Sequence, residues 1–107
     1  MSTPTEFANV TAVAKANIYF DGKVISHALI TEKGDKITLG LIYPGAYTFN
    51  TGAPERMDVV AGACRVRLKD AADWTEYAAG SHFLVPGDSS FDIAVDSGIA
   101  EYVCSFG

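Results

Sequence analysis

Histidine, cysteine and basic residues are scarce in this chain, and it has no long apolar run. Its 107 residues include two histidines and two cysteines, and 8 basic against 13 acidic residues give a net charge of −5. Because the few positive charges are scattered, nucleic-acid binding is disfavoured. No apolar run approaches the roughly 18 residues of a membrane-spanning helix, so no membrane association is expected.

The few cysteines and histidines show no spacing typical of a metal site. We interpret Cys64 and Cys104 as two buried thiols that act as small hydrophobes, with a metal site or a disulfide as the alternatives. His27 and His82 have no second ligand at metal-binding spacing and are interpreted as core or surface histidines. No metal and no cofactor are therefore expected.

The composition is that of one soluble globular domain. Hydrophobic residues make up 49% of the chain and charged residues 20%, which is too apolar for a disordered chain. Residues 1–15 have weak periodicity and are predicted to be an N-terminal extension, either flexible or an added edge strand, before a domain over 16–107. The start of the sequence lacks the basic and apolar regions of a signal peptide, so a cytoplasmic location is expected.

Turn signals divide the chain into short β-branched and aromatic segments. Asp21-Gly22, Pro44-Gly45 and Pro86-Gly87 are among these signals, and turns recur every eight to twelve residues or so, a spacing typical of all-β sandwiches and barrels. Residues 63–68 alternate with period two, which places Cys64 and Val66 on one face of a strand. The sequence predicts an all-β fold with no substantial helix.

The stretch 45–62 carries the clearest candidate for a site. Counting in twos from Glu55 leads to Met57 and Val59, so the carboxylate leans toward the interior if these apolar residues face the core. A carboxylate at the rim of an apolar barrel suits a binding site, and a solvated loop acid is the alternative. The strand aromatics form either a stacking wall for a base or sugar, or simply core.

Two segments resemble the paired motifs of the cupin superfamily. The string Glu55-x-x-x-Val59-Val60-x-Gly62 is similar to the second half of the first motif. The spacing from Gly80 to Pro86-Gly87 is similar to the second motif. This resemblance implies a small β-barrel of the jelly-roll type.

The histidine ligands of the cupin motifs are missing. Their positions fall on Thr48 and Asn50 or on Phe49 and Thr51, depending on register, and the later one falls near Phe91. Only the acid of the usual ligand set remains. Threonine, asparagine and phenylalanine do not replace imidazoles on iron or manganese, so the cupin metal site is not expected.

A more specific resemblance covers the chain from Asn17 onward. It rests on a set of strings in a fixed order, namely Tyr19-Phe-x-Gly-Lys-Val24, Gly45-x-Tyr-Thr-Phe49, Pro54-Glu-x-Met57, Asp73-Trp74, Tyr77-x-Ala-Gly80, Val85-Pro-Gly87 and Tyr102-x-Cys104. This set resembles the small single-domain cupins of the pyrimidine/purine nucleoside phosphorylase family. The resemblance implies a homodimeric pentosyltransferase that uses inorganic phosphate to cleave nucleosides to free base and ribose 1-phosphate.

The resemblance also suggests roles for individual residues. Glu55 is expected to hold the ribose and its developing positive charge. Lys23 is the shared basic candidate for phosphate, with a surface strand lysine as the alternative. The residues expected to bind substrate are Tyr47, Thr48, Phe49, Asn50, Thr51, Met57, Phe91 and Tyr102. Ser105 stands where family members have an arginine, which favours an alternative function, a metal-free cupin that binds a sugar or nucleoside without turnover.

Overall fold

A computed structural model describes residues 3–107 of the chain. These residues form eleven strands: β1 (Thr11–Ala12), β2 (Asn17–Tyr19), β3 (Val24–Ile30), β4 (Lys36–Ile42), β5 (Gly45–Asn50), β6 (Glu55–Ala61), β7 (Ala63–Leu68), β8 (Thr75–Ala78), β9 (His82–Val85), β10 (Ser90–Val95) and β11 (Ala100–Phe106). The only helical element among them is a single 3-10 turn, Phe20–Gly22. The predicted all-β fold without a substantial helix is confirmed.

The strands form two antiparallel sheets that enclose the core. The first sheet has the order β1-β3-β4-β11-β6-β9, with β2 also paired to β3, and the second has the order β5-β10-β7-β8. The C-terminal strand β11 lies at the centre of the first sheet, between β4 and β6. This arrangement is consistent with a small cupin-like fold, as the sequence predicts.

Alternate side chains of each strand fill the space between the sheets. Val24, Ile42, Val59, Val85 and Ile93 are at most 2% exposed, as expected for residues that point into a two-sheet core. Residues 63–68 form β7 with the predicted bounds. No disulfide is formed, because both cysteines are buried free thiols, and burial raises the pKa of Cys64 to about 11.

The β2–β3 hairpin has an unusual turn. Asp21-Gly22 is the predicted turn dipeptide, but the backbone already enters the left-handed region at Phe20, with φ 53°. Left-handed backbone is uncommon for an aromatic residue and is held only where packing demands it. Here the Phe20 ring packs against Tyr47 of the second sheet, with 4.9 Å between ring centroids.

The N-terminal segment follows the outer face of the first sheet. Pro4 to Phe7 and Val10 line a groove on this face together with residues of β3, β4 and β11. Thr11 and Ala12 then pair with Ile30 and Leu29 of β3, so this part of the predicted extension forms an edge strand. Residues 1 and 2 of that extension lie outside the described range. Residues 3–107 contain no helix with the length and apolar character needed to cross a membrane.

Candidate active site

A cavity of about 590 Å³ lies between the two sheets. Its floor is the inner face of the first sheet, which supplies most of the polar side chains. Its opposite wall is mainly apolar and is supplied by the second sheet, by the end of β2 and by the β2–β3 turn. The lining residues of the floor include Asn17, Ser26, Lys36, Thr38, Glu55, Met57, Tyr102, Cys104 and Phe106, and those of the wall include Tyr19, Phe20, Phe49, Phe91 and Ile93.

Glu55 begins β6 and, among residues 3–107, contributes the only carboxylate that lines this cavity. It shares the inner face of β6 with Met57, and its register partners are Phe106 and Val85. The side chain is half-buried, and this burial raises the pKa of the carboxyl group. The Cys104 thiol donates to Glu55 Oε1 at 3.6 Å, and this bond and the positive charge of Lys36 oppose part of the rise in pKa.

Lys36 is the basic residue of the cavity, and the sequence interpretation missed it. It begins β4, and its Nζ lies 4.9 Å from the centroid of the Phe106 ring, a distance typical of cation–π contacts. Lys23, the candidate chosen from the sequence, is exposed next to the β2–β3 turn and is not among the lining residues. Lys36 could have been identified from its position at the start of a strand whose alternate residues are buried.

The aromatic wall is a connected set of rings. Phe49 and Phe91 stack with centroids 5.8 Å apart and an interplanar angle of 25°. Phe20 and Tyr19 meet Phe49 edge-on at 5.4 and 5.9 Å. Tyr19 and Phe20 each keep more than 40% of their surface exposed, so aromatic surface remains free at the rim. Phe49 and Phe91 were predicted as substrate-binding residues, whereas Tyr19 and Phe20 were not.

Tyr47 lies behind this wall. It is 6% exposed, it is not among the lining residues, and its hydroxyl donates to the carbonyl oxygens of Tyr43 at 2.8 Å and Pro44 at 3.0 Å. Its ring packs against the ring of Phe20. The structure therefore shows Tyr47 in contact with the wall, not with the cavity.

The three polar residues predicted from β5 and its following loop lie in different environments. Thr48 borders the cavity, but its hydroxyl donates to Asp92 Oδ1 at 2.7 Å, and Asp92 also pairs with Arg67. Asn50 is exposed and borders the cavity. Thr51 is 8% exposed and donates to the carbonyl oxygen of Pro86 at 2.7 Å. Both threonine hydroxyls are thus already engaged within the protein.

A row of polar groups crosses the cavity floor at Tyr102, four residues before the register partner of Glu55 on β11. Asn17, Ser26, Gly40 and Tyr102 are neighbours in the register of β2, β3, β4 and β11. Asn17 Nδ2 donates to Ser26 Oγ at 3.3 Å, and Ser26 and Tyr102, which lie on either side of Gly40 in this row, both line the cavity. Of these, only Tyr102 was identified from the sequence.

Ser105, the position where the resembled family has an arginine, faces away from the cavity. It alternates along β11 with Cys104 and Phe106, which line the cavity, and neighbouring strand residues point to opposite faces. Its register partners are Ile37 and Arg56. The departure at Ser105 thus leaves the set of groups inside the cavity unchanged.

The cavity combines the groups needed to bind a flat, polar small molecule. It offers a carboxylate, an ammonium group, hydroxyl and amide groups on one side, and ring faces on the other. Among residues 3–107, no three histidine, cysteine, aspartate or glutamate side chains are grouped as metal ligands. The cofactor-free site expected from the sequence stays a prediction, which metal analysis of the purified protein tests.

Comparison with known proteins identifies the family. A sequence model of the pyrimidine/purine nucleoside phosphorylase family matches residues 14–106. A curated protein with this name from Cupriavidus necator is 55% identical over 102 residues, covering 95% of this chain and 96% of that protein. Another, from Aromatoleum aromaticum, is 53% identical over 107 residues and covers both chains fully.

Solved structures show the same fold. A protein of unknown function from Acinetobacter sp. ADP1 has a TM-score of 0.92 at 42% identity, covering 95% of this chain and 98% of its own. The EutQ protein of Clostridium difficile, at a TM-score of 0.66 and 13% identity over 78% of this chain and 67% of its own, shares the fold alone. By the family model and its curated relatives, this chain belongs to the pyrimidine/purine nucleoside phosphorylase family.

Proposed function

We propose that this protein catalyses the phosphorolysis of purine and pyrimidine nucleosides to free base and ribose 1-phosphate, as a pentosyltransferase. The observation that carries the proposal is the half-buried Glu55 in a cavity whose opposite wall is aromatic, in a chain of this family. Cleavage of a glycosidic bond passes through an oxocarbenium-like state with a departing anionic base. A carboxylate near the ribose and a flat apolar surface for the base suit that state.

Glu55 is assigned to the ribose. Its carboxylate accepts hydrogen bonds from sugar hydroxyls and stabilises the positive charge that develops at C1′. Burial supports this role, because a charge in a partly dehydrated site acts more strongly on a neighbouring charge than it does in water. Met57, next on the same face of β6, forms the apolar floor beside the ribose.

The aromatic wall is assigned to the base. Phe49 and Phe91 stack with each other, and Tyr19 and Phe20 extend the surface to the rim. Every base has a π-face, so stacking tolerates both purines and pyrimidines. We therefore expect similar kcat/KM values, within about a factor of ten, for uridine and inosine.

Phosphate is assigned to the end of the cavity where Lys36 lies. Lys36 lines the cavity, and its positive charge opposes part of the rise in the pKa of Glu55. Its ammonium group is therefore near the proposed ribose position. Lysine is a common phosphate ligand because its ammonium group offers three rotatable donors. Lys23, exposed outside the cavity, is the natural control: Lys36→Met should raise the KM for phosphate about tenfold or more, and Lys23→Met should not.

The decisive experiment measures phosphate-dependent release of uracil from uridine and of hypoxanthine from inosine. Glu55→Gln should lower kcat by about 10²-fold or more with the fold intact, whereas the exposed Glu32→Gln should retain full activity. Wild-type turnover in Glu55→Gln would overturn its role. Saturable nucleoside binding without any turnover would favour the metal-free binding protein.

We also propose a homodimer that forms through the outer face of the first sheet. This face carries a groove of about 520 Å³ lined by Phe7, Ile25, Leu39 and Val103, among others. Leu39 keeps 37% of its surface exposed there, and contiguous exposed apolar surface is typical of protein interfaces. The cytoplasmic location expected from the sequence stays a prediction.

A further inference from the structure

The row of polar groups across the cavity floor contains more hydrogen-bonding side chains than the role of Glu55 requires. Asn17 donates to Ser26 at 3.3 Å, and Tyr102 lies beyond Gly40 in the same register row and lines the same cavity. Ser26 is only 4% exposed, although the inner face of a strand is normally apolar. Buried polar groups held in such a cluster commonly belong to a functional site.

Gly40 sets the position of Tyr102 in this row. A Cβ atom at Gly40 would overlap the ring and the hydroxyl of Tyr102, so the ring lies across β4 only because residue 40 has no side chain. A glycine in a strand interior weakens the strand and often marks such a close approach. Through this approach the Tyr102 ring and hydroxyl lie over β4, the strand that separates β11 from Ser26 on β3.

The cluster can donate hydrogen bonds at neutral pH. The asparagine amide offers two donors and an acceptor, and each hydroxyl offers one donor. Burial raises the pKa of the Tyr102 phenol, and the nearby Cys104 adds to this effect. Because an unperturbed tyrosine already has a pKa of about 10, the phenol keeps its proton at neutral pH.

The polar row lies along the cavity floor from the carboxylate. Glu55 pairs in register with Phe106, and Tyr102 lies four residues earlier on the same strand, which separates their backbones by about 13 Å along the sheet. With the ribose at Glu55 and the base along the aromatic wall, we expect the far edge of the base to lie on the side of Tyr102 and Ser26.

We propose that Asn17, Ser26 and Tyr102 hold the edge of the departing base and stabilise the negative charge that develops on it. This inference rests on the proposed phosphorolysis. As the bond between C1′ and the base nitrogen breaks, its electron pair stays on the base. An oxygen of phosphate forms the new bond to C1′, and the proton that phosphate loses neutralises the base. The hydrogen bonds are strongest on the anionic base and so lower the barrier.

The experiment compares leaving groups. Uridine and inosine lose their bases as anions, whereas 7-methylinosine carries a cationic base that leaves as a neutral molecule. Tyr102→Phe should lower kcat/KM for uridine and inosine by about 10²-fold and that for 7-methylinosine by less than about threefold. Equal losses on all three substrates, or no loss on uridine, would overturn the proposal. Tyr77→Phe, which removes a phenol outside the cavity, serves as the control.

A second variant tests the role of Gly40. Gly40→Ala should displace the Tyr102 ring and reproduce the leaving-group selectivity of Tyr102→Phe, because it moves the same hydroxyl. If Gly40→Ala fails to fold, Ser26→Ala replaces it, and an unchanged ratio of kcat/KM for uridine to that for 7-methylinosine in Ser26→Ala would contradict the cluster's role.

Failure of the proposed function would be recognised separately. If the wild-type protein turns over none of these substrates, phosphorolysis is wrong, and calorimetric titration with inosine then tests the cluster alone. Tyr102→Phe should weaken inosine binding about tenfold. Equal dissociation constants for wild type and variant, or no binding by the wild type, would reject the cluster as a base-recognition site.

Discussion

The surroundings of Glu55 oppose the charge on its carboxylate. Its half-buried position disfavours the charged form and raises its pKa, although the Cys104 thiol and Lys36 offset part of the effect. The carboxylate in turn helps to raise the pKa of Cys104, which keeps that thiol protonated as a donor. A charge held at a loss of stability is typical of functional sites.

This loss of stability should be measurable as a function of pH. Because the folded-state pKa of Glu55 is raised, the stabilisation from its neutral form is complete below the unfolded-state value of about 4.3. It disappears as pH rises through the folded-state value. Glu55→Gln should therefore match the wild type in free energy of unfolding at acidic pH and exceed it at neutral pH. Urea denaturation across this range measures both.

The matched control is Glu32→Gln, a substitution at an exposed acid. It serves to separate the effect of the Glu55 site from the general effect of replacing a glutamate. If the curve of Glu55→Gln differed from that of the wild type no more than the curve of Glu32→Gln does, the carboxylate would not be destabilised by folding, and the argument that its burial serves catalysis would be removed.

At the scale of the elements, two loops are joined by hydrogen bonds. The loop after β5 and the loop before β10 exchange hydrogen bonds: Thr51 Oγ1 donates to the Pro86 carbonyl at 2.7 Å and accepts from the Ser89 amide at 2.9 Å. The Asp88 amide also donates to the Gly52 carbonyl at 2.9 Å. These bonds fix the end of β5, which carries Phe49, relative to β10, which carries Phe91.

The two threonines of this region should therefore differ in their effect on stability. Thr51→Val leaves the Ser89 amide and the Pro86 carbonyl without this partner, and should lower the free energy of unfolding by about 1–3 kcal/mol. Thr48→Val breaks an exposed bond to Asp92 and should change it by less than about 1 kcal/mol. Thermal and urea denaturation compare the two isosteric variants. Equal effects would refute the joining of the loops through Thr51.

The elements themselves were largely predictable, because the signals for them are local. The Asp21-Gly22 turn and the period-two alternation of residues 63–68 depend on neighbouring residues only, and β2, β3 and β7 follow them. The left-handed Phe20 was not predictable, since contact with Tyr47 from another sheet accompanies it. Local sequence does not encode such a contact.

At the scale of the whole molecule, the polar floor exists only because β11 lies between β4 and β6. This order brings Lys36, Tyr102 and Glu55 onto one face, although they are far apart in sequence. Glu55 was found from its own strand, where counting in twos is sufficient. Lys36 and Ser26 were missed because their relation to Glu55 depends on the register of strands that are not consecutive.

The same order gives the first sheet an outer face with its own apolar groove, and a second copy of the chain is the proposed occupant. Leu39 lies on this face between His27 and Val103 in register. A glutamate there would place an unpaired charge in a dry interface, so Leu39→Glu should raise the dimer dissociation constant by about thirtyfold or more. Ile99→Glu alters an exposed apolar residue in the β10–β11 turn instead and should leave assembly intact. Sedimentation equilibrium measures both, and a wild-type protein that stays monomeric at high concentration would reject the dimer.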